Sequence, residues 1–259
     1  MYNDIWSIGS LTIHGYGLMI GIGFIVALFM ATYRAKKKGL DADVVSSIAM
    51  LVIVFGFLGA KLLFVIVEFD RFLQDPISII GSEGFVVYGG IIAGVLTAVC
   101  YLRFKKLNFM EYFDLMMPSV AMAQGFGRIG CFLAGCCYGV ETQSMLGVVF
   151  PKGSLAPAGV KLLPTQLISS AGDFLIAGVL MGFARKSKTK GNTGALYLLL
   201  YGIGRFGVEC LRSDERGIIG ILSTSQAISI IFVIGAIALF ILNKKRQASK
   251  LIENETEDV

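Results

Sequence analysis

An all-α membrane protein with seven transmembrane helices, its N-terminus outside and its C-terminus cytoplasmic, is the fold class that three observations predict. Of 259 residues, 55% are apolar and only 16% charged, and the mean hydropathy is +0.75, which is too oily for a soluble domain with one core. Apolar runs recur along the chain, most of them near the length of about 17–25 residues that crosses a bilayer. Basic residues cluster at alternate ends of those runs, the pattern left when cytoplasmic loops keep positive charge.

The first run, 13–33, follows MYNDIWSIGSLTIHG, which has no basic leader, so no cleavable signal is expected. It ends at Arg34 and Lys36 to Lys38, on the cytoplasmic side. The second, 44–67, leads into EFDRFLQDP, which faces outward, and the third, 84–102, ends at Arg103, Lys105 and Lys106. The fourth, 112–126, is shorter and opens into an outward-facing loop region at 127–162. The fifth, 163–184, ends at Arg185, Lys186, Lys188 and Lys190; the sixth, 195–211, leads to the outward SDERGIIGILS; the seventh, 225–242, ends at Lys244, Lys245 and Arg246. Residues 1–246 are therefore expected to form one seven-span membrane domain, and residues 247–259, closing on ENETEDV, a frayed cytoplasmic tail. The formal net charge of +5 follows from this topology and points to anionic lipid surfaces, with no nucleic acid as partner.

Charge inside the spans carries the chemistry. Arg205, Glu209 and Arg212 stand at i, i+4 and i+7, along one stripe of an otherwise apolar helix. Each such charge costs about 3 kcal/mol in hydrocarbon unless it faces a polar cavity, so the stripe points to an enzyme that grips an anion. Arg128 follows the short fourth span beside Gly125 and Gly127. Its planar fork suits phosphate oxygens, although a lone arginine there could also snorkel to headgroups. The 32 glycines either let helices approach or let backbone amides meet a ligand.

Two other function classes use the same residues. Cys131, Cys136 and Cys137 in the outer loop could form a disulfide staple, the first expectation, or a redox pair of a membrane thiol oxidoreductase. No C-x-x-C or H-x-x-x-H spacing appears, so neither a metal nor a cofactor is expected. Lys61, Glu68 and Asp114 could line the path of a transporter for an anionic substrate, or fix helix packing. The single histidine, His14, reads as an interfacial polar residue that could substitute as a base near Tyr16.

Taken in order, short motifs resemble the prolipoprotein diacylglyceryl transferase family over nearly the whole chain. They are Tyr16 to Met19 (Tyr-Gly-Leu-Met); Gly59, Ala60 and Lys61; Tyr88, Gly89 and Gly90; Asp114 with Pro118; and Gly127 to Gly130 (Gly-Arg-x-Gly). Pro164 to Leu167 and the Tyr-Gly-x-x-Arg-Phe-x-x-Glu-x-x-Arg of 201–212 complete the series. The chain departs from the family pattern at Tyr88 and Leu163, where the family has histidine. It departs again at Cys131, Ala134 and Cys136, where the family has two asparagines and a glutamate. The chain thus resembles a divergent branch.

That resemblance implies a bacterial inner-membrane enzyme, multi-pass in the cytoplasmic membrane. It would move the diacylglyceryl group of phosphatidylglycerol to the lipobox cysteine of a prolipoprotein signal peptide among membrane lipids, releasing glycerol phosphate. The catalytic residues it implies are Arg128, Arg205, Tyr16 and Tyr88. Arg128, Glu209, Arg212, Gly89, Gly90, Gly127, Gly130, Gly139 and Gln166 would contact substrate. Arg128 and Arg205 would hold the lipid phosphate, Glu209 and Arg212 would form a supporting pair, and Tyr16 would orient the headgroup. Tyr88, with a reference pKa of about 10, is a poor base unless arginines depress it, so a structural hydroxyl is the equal reading.

Overall fold

A computed structural model describes residues 4–8, 11–82, 84–214 and 217–257. Glu215 and Arg216 of the predicted outward loop, and Asp258 and Val259 of the predicted tail, lie outside the described residues. The hairpin β1 (Asp4–Ile8) and β2 (Leu11–His14) precedes α1 (Gly15–Lys37) and α2 (Ala42–Val67). Short α3 (Phe69–Gln74) and α4 (Pro76–Gly81) lead to α5 (Val87–Phe104) and α6 (Phe109–Ala134). After β3 (Val148–Val149) and β4 (Lys161–Leu162) come α7 (Thr165–Lys186), α8 (Asn192–Cys210), β5 (Ile218–Ile219), β6 (Leu222–Ser223) and α9 (Thr224–Glu257).

A helix takes up most of each predicted apolar run. Among the described residues, five helices, α1, α2, α5, α7 and Thr224–Ala248 of α9, are long and apolar enough to cross a membrane, and the chain is a multi-pass membrane protein. The other two long helices, α6 and α8, hold Asp114 and Arg128, and Arg205 and Glu209. The polar positions of the chain are therefore concentrated where the apolar signal is weakest.

Four expectations need correction. The fold is mostly rather than wholly helical, because three two-stranded antiparallel ribbons stand beside the helices among the described residues; Gly220, at φ +62°, makes the turn from β5 to β6. EFDRFLQDP folds as α3 and the approach to α4, whose first turn has Pro76 and a cap from Asp75, accepting the Ser78 N–H at 3.1 Å. The fourth predicted run is the core of a 26-residue helix that continues through Gly-Arg-x-Gly to Ala134. The tail is helical to Glu257, since good helix formers follow the last basic cluster.

Two units divide the chain: Met1–Met30 with Phe113–Val259, and Ala31–Tyr112. In the second, α2 and α5 meet on glycine. A Cβ on Gly59 would stand 2.7 Å from the Gly89 carbonyl oxygen, and one on Gly89 would stand 2.5 Å from Leu63 Cβ, so only hydrogen fits at that crossing. Lys61 Nζ donates to the carbonyls of Ser82 (2.7 Å) and Gly84 (3.3 Å) and lies about 5 Å from the rings of Phe64 and Phe85. Glu68 instead pairs with Arg71 at 3.2 Å. Both charges hold local structure rather than each other.

In the first unit, buried Asp114 crosses from α6 to the start of α8. Its carboxylate accepts the Gly191 N–H at 2.6 Å and the Gly194 N–H at 2.7 Å. It thereby caps a helix whose own cap residue, Gly191 at φ +93°, has no side chain to offer. That gives Asp114 a structural role. Ala121, Ala177, Leu180 and Tyr197 form the core between α6, α7 and α8, and Tyr197 donates to Gln124 Oε1 at 2.9 Å. Asn243 donates to Asn192 across α9 and α8 at 2.9 Å. The loop after α6 has its own small core of Phe150, Ala156 and Leu162, packed by Phe132, Tyr138 and Val160.

Candidate active site

Helical spacing brings Arg205 and Glu209 of α8 together, and Arg212, past the end of the helix at Cys210, joins them from the turn that follows. Glu209, 2% exposed, lies at the centre. Its Oε2 is 2.7 Å from Arg205 Nη1 and 3.4 Å from Arg212 Nη1, and its Oε1 accepts from Ser223 Oγ at 2.9 Å. The Arg205 Nη1 contact is an ion pair without hydrogen-bond alignment, while Nη2 donates to Ser225 Oγ at 2.8 Å. Arg212 has a stronger partner than the one the stripe suggested. Its Nε donates to Asp214 Oδ1 at 2.8 Å and its Nη2 to Oδ2 of the same carboxylate, a bidentate fork. Glu209 thus belongs first to Arg205, and Asp214 fixes Arg212.

A second strand of the site starts where α6 ends. Gly135, at φ +75°, sends its N–H to Phe132 O at 3.2 Å, and Cys136 N–H reaches back to Cys131 O at 3.1 Å. This Schellman closure brings the residue after the turn over the residue three before the helix end, so it seats Cys136 on Cys131. Cys137 then adopts φ +60° and turns a third thiol inward. All three sulfurs lie within 4.8 Å of one another, and all three cysteines are free thiols. No disulfide staple forms, and the cluster has a ligand geometry that spacing did not reveal. Hydrogen bonds from Cys131 and Cys136, and then the charges of Arg212 and Arg128, pull the Cys137 thiol well below the ordinary range. The hydrogen bonds with Cys131 and Cys137 push Cys136 up.

The predicted glycine and glutamine hold this turn against α8. Gly139 N–H donates to Leu163 O at 2.9 Å, Val140 N–H to Leu211 O at 2.9 Å, and Ser213 N–H to Tyr138 O at 3.2 Å. A Cβ on Gly139 would stand 2.7 Å from Leu163 O and 2.9 Å from Leu211 O, so the strand threads between two backbones that leave no room for a side chain. Thr165 Oγ1 donates to Cys137 O and Gln166 Nε2 to Cys136 O, each at 2.7 Å. Gln166 is 1% exposed, and its Oε1 is buried with no hydrogen-bond partner among the described residues.

Arg128 completes the constellation. It interacts electrostatically with Tyr201, Cys131, Cys137 and Asp173, and Arg205 interacts with Arg128, Arg212 and Tyr201. Among the described residues, no hydrogen bond or ion pair engages its guanidinium. Arg205 and Arg212 are neutralised by Glu209 and Asp214, whereas Arg128 keeps an unspent charge and an open fork. Tyr16 joins the same field, since it interacts with Arg128 and all three cysteines. The close approach of Gly130 places it there, since a Cβ on that glycine would stand 3.1 Å from Tyr16 O.

A profile of the prolipoprotein diacylglyceryl transferase family matches residues 3–242. The chain belongs to that family. It is 48% identical over 238 residues to phosphatidylglycerol–prolipoprotein diacylglyceryl transferase 2 of Clostridium perfringens, covering 91% of this chain and 93% of that protein. It is 42% identical over 245 residues to the transferase of Clostridium tetani, with 94% and 98% covered. Against the Finegoldia magna transferase it is 35% identical over 244 residues, with 93% and 95% covered.

For a diacylglyceryl transferase family member, the remaining predicted residues fall in different surroundings. Tyr88, Gly89 and Gly90 open α5 in the unit formed by residues 31–112. Gly89 and Gly90 face Gly59 and Gly56 of α2, a packing that accounts for both. Gly127 has open space where a Cβ would point. His14 ends β2, in register with Asp4, and is exposed. Reasoning from sequence missed Asp214, Ser223 and Ser225, which arrive from beyond α8, and Asp173 and Tyr201 around Arg128. Asp173 carried a usable signal as the lone acidic residue of α7.

Proposed function

We propose that this chain is a phosphatidylglycerol–prolipoprotein diacylglyceryl transferase. It moves the diacylglyceryl group of the lipid to the lipobox cysteine thiol of an exported prolipoprotein and releases glycerol phosphate. The observation that carries this reading is the uncommitted guanidinium of Arg128 beside Arg205, Arg212 and Tyr16. A departing phosphoester needs fixed positive charge that does not have to be recruited from water, and an arginine whose fork is unspent can meet two phosphate oxygens at once. Arg205, held by Glu209 and Ser225, supplies a second charge of fixed position. Arg212, clamped by Asp214, supports Glu209. Tyr16 orients the headgroup, and Tyr88 serves as a structural hydroxyl.

The same reading assigns residues 1–246 to a seven-span domain of the bacterial inner membrane, N-terminus outside, with the 127–162 loop region outward and the basic helix ends and residues 247–259 cytoplasmic. It is supported by the alternation of basic clusters. The arginine site then opens on the side where an exported prolipoprotein arrives.

The test is direct. Purified protein is incubated with phosphatidylglycerol vesicles and a lipobox peptide, and the peptide is followed by mass spectrometry. The expected result is a diacylglyceryl adduct on the cysteine and release of glycerol phosphate. A folded protein that yields no adduct would overturn the assignment.

A further inference from the structure

Cys131, Cys136 and Cys137 form a cluster to which the phosphate-holding arginines give no role. We propose that their three sulfurs bind one Zn2+ and leave its fourth position for the thiol of the acceptor cysteine, so that the metal, rather than a side-chain base, delivers the thiolate. The inference rests on the transferase reading above and answers the question it leaves, because the single histidine of the chain, His14, is exposed at the end of β2.

The geometry fits the ion. Zinc binds thiolate at about 2.3 Å, so three sulfurs on one face of a tetrahedron lie about 3.8 Å apart. Here they lie within 4.8 Å of one another, at most about 1 Å beyond that spacing. The backbone is already committed. The Schellman turn seats Cys136 on Cys131, and the left-handed φ of Cys137 turns the third sulfur to the same side. Thr165 and Gln166 hold the carbonyls of Cys137 and Cys136 at 2.7 Å, the kind of outer support that orients metal ligands. Three protein ligands with a free fourth position is the pattern of zinc sites that process a substrate, while structural sites close with four. Charge also balances. Three thiolates around Zn2+ leave one negative charge, which faces Arg128 and Arg212 through Cys137.

The step follows from that coordination. The acceptor thiol binds zinc and gives its proton to water, as a metal-bound thiol does. Its sulfur attacks the glyceryl carbon that bears the phosphate of the lipid. A carbon–sulfur bond forms, the carbon–oxygen bond breaks, and the electron pair leaves on the phosphate oxygen of glycerol phosphate beside Arg128. The product is a neutral thioether, a poor zinc ligand, so it vacates the fourth position.

Co2+ makes the site visible, because thiolate coordination gives charge-transfer and tetrahedral ligand-field absorption. Titrating the purified, reduced, full-length protein with Co2+ should saturate these bands at one equivalent, and Zn2+ should bleach them. Cys131→Ser, Cys136→Ser and Cys137→Ser should each lose them, and Cys100→Ser should keep them. A lipobox peptide should shift the bands, and the same peptide with serine for cysteine should not. Absent bands, or bands that survive all three substitutions, overturn the site even if one variant misfolds, since the unmodified protein is titrated as well. Bands unmoved by the cysteine peptide overturn the open position. Chelator-stripped enzyme should lose transfer and regain it with Zn2+. Full transfer without metal overturns the zinc step and leaves the transferase reading standing. Cobalt and peptide binding with no adduct under any condition would instead overturn the transferase reading and leave the metal site standing.

Discussion

The α2–α5 crossing and the α8 stripe answer opposite demands of the same solvent. At the crossing, glycines 59 and 89 strip the helices to backbone so that they touch, and nothing polar needs a partner. On α8 and the turn after it, Arg205, Glu209 and Arg212 bring full charges together, and each must be matched. Both regions carry motif residues of the family, so a motif match alone does not tell chemistry from packing. What separates them is whether a polar group is left with capacity to spare. Lys61 has none, with carbonyls at 2.7 and 3.3 Å, whereas Arg128 keeps its whole fork.

The hardest way to break the stripe is at its centre. Glu209→Gln keeps the shape and removes the charge that pairs with Arg205, leaving that buried cation without compensation while Asp214 still holds Arg212. A loss of about 3–5 kcal/mol is expected, read as a lowered midpoint of unfolding in detergent. Adding Arg205→Gln should recover part of it. If the single variant is as stable as the parent, the pairing on α8 contributes nothing.

Next in size is Arg128→Gln, which removes the unspent charge and disturbs no existing bond. Transfer to a lipobox peptide should fall about 10²–10³-fold, the usual loss for one fixed electrostatic contact to the departing group, with stability unchanged. A variant that retains transfer shows that the phosphate is held elsewhere.

The apolar runs were legible because a bilayer demands a fixed length of hydrocarbon-compatible chain. The α8 stripe was legible because 3.6 residues per turn fix which residues share a face. Asp214, Ser223 and Ser225 were not, since they reach the stripe through a turn and a ribbon that no periodicity marks. The cysteine cluster escaped for a related reason: Cys131 and Cys136 meet through a helix-terminating turn, and Cys137 joins them by a backbone angle that spacing does not encode. Asp114 was visible as a buried charge, but its partners stand 77 and 80 residues away.

At the crossing, the contrast is sharpened by Gly59→Ala. The added methyl would press on Ala93 and on the Gly89 carbonyl, and overpacking of this kind costs about 1–3 kcal/mol. Transfer per folded molecule should be unchanged. If activity drops while the unfolding midpoint holds, the glycines of α2 and α5 serve a ligand rather than each other.

The smallest expected effect belongs to Asp114→Asn, and it decides what a buried charge outside the stripe is for. The carboxylate accepts two N–H groups at the start of α8, and the amide keeps one acceptor oxygen while losing the favourable charge at the helix N-terminus. A cost of about 0.5–2 kcal/mol follows from the lost cap and dipole interaction, visible as a lower midpoint of unfolding with transfer per folded molecule retained. Proteoliposomes give the complementary measurement. If Asp114 lined an ion path, the parent would carry anion flux and the variant would lose it with little change in stability. A cap predicts the reverse, because its energy is spent on where α8 begins, and that position sets the register of Arg205 and Glu209 more than three turns further along.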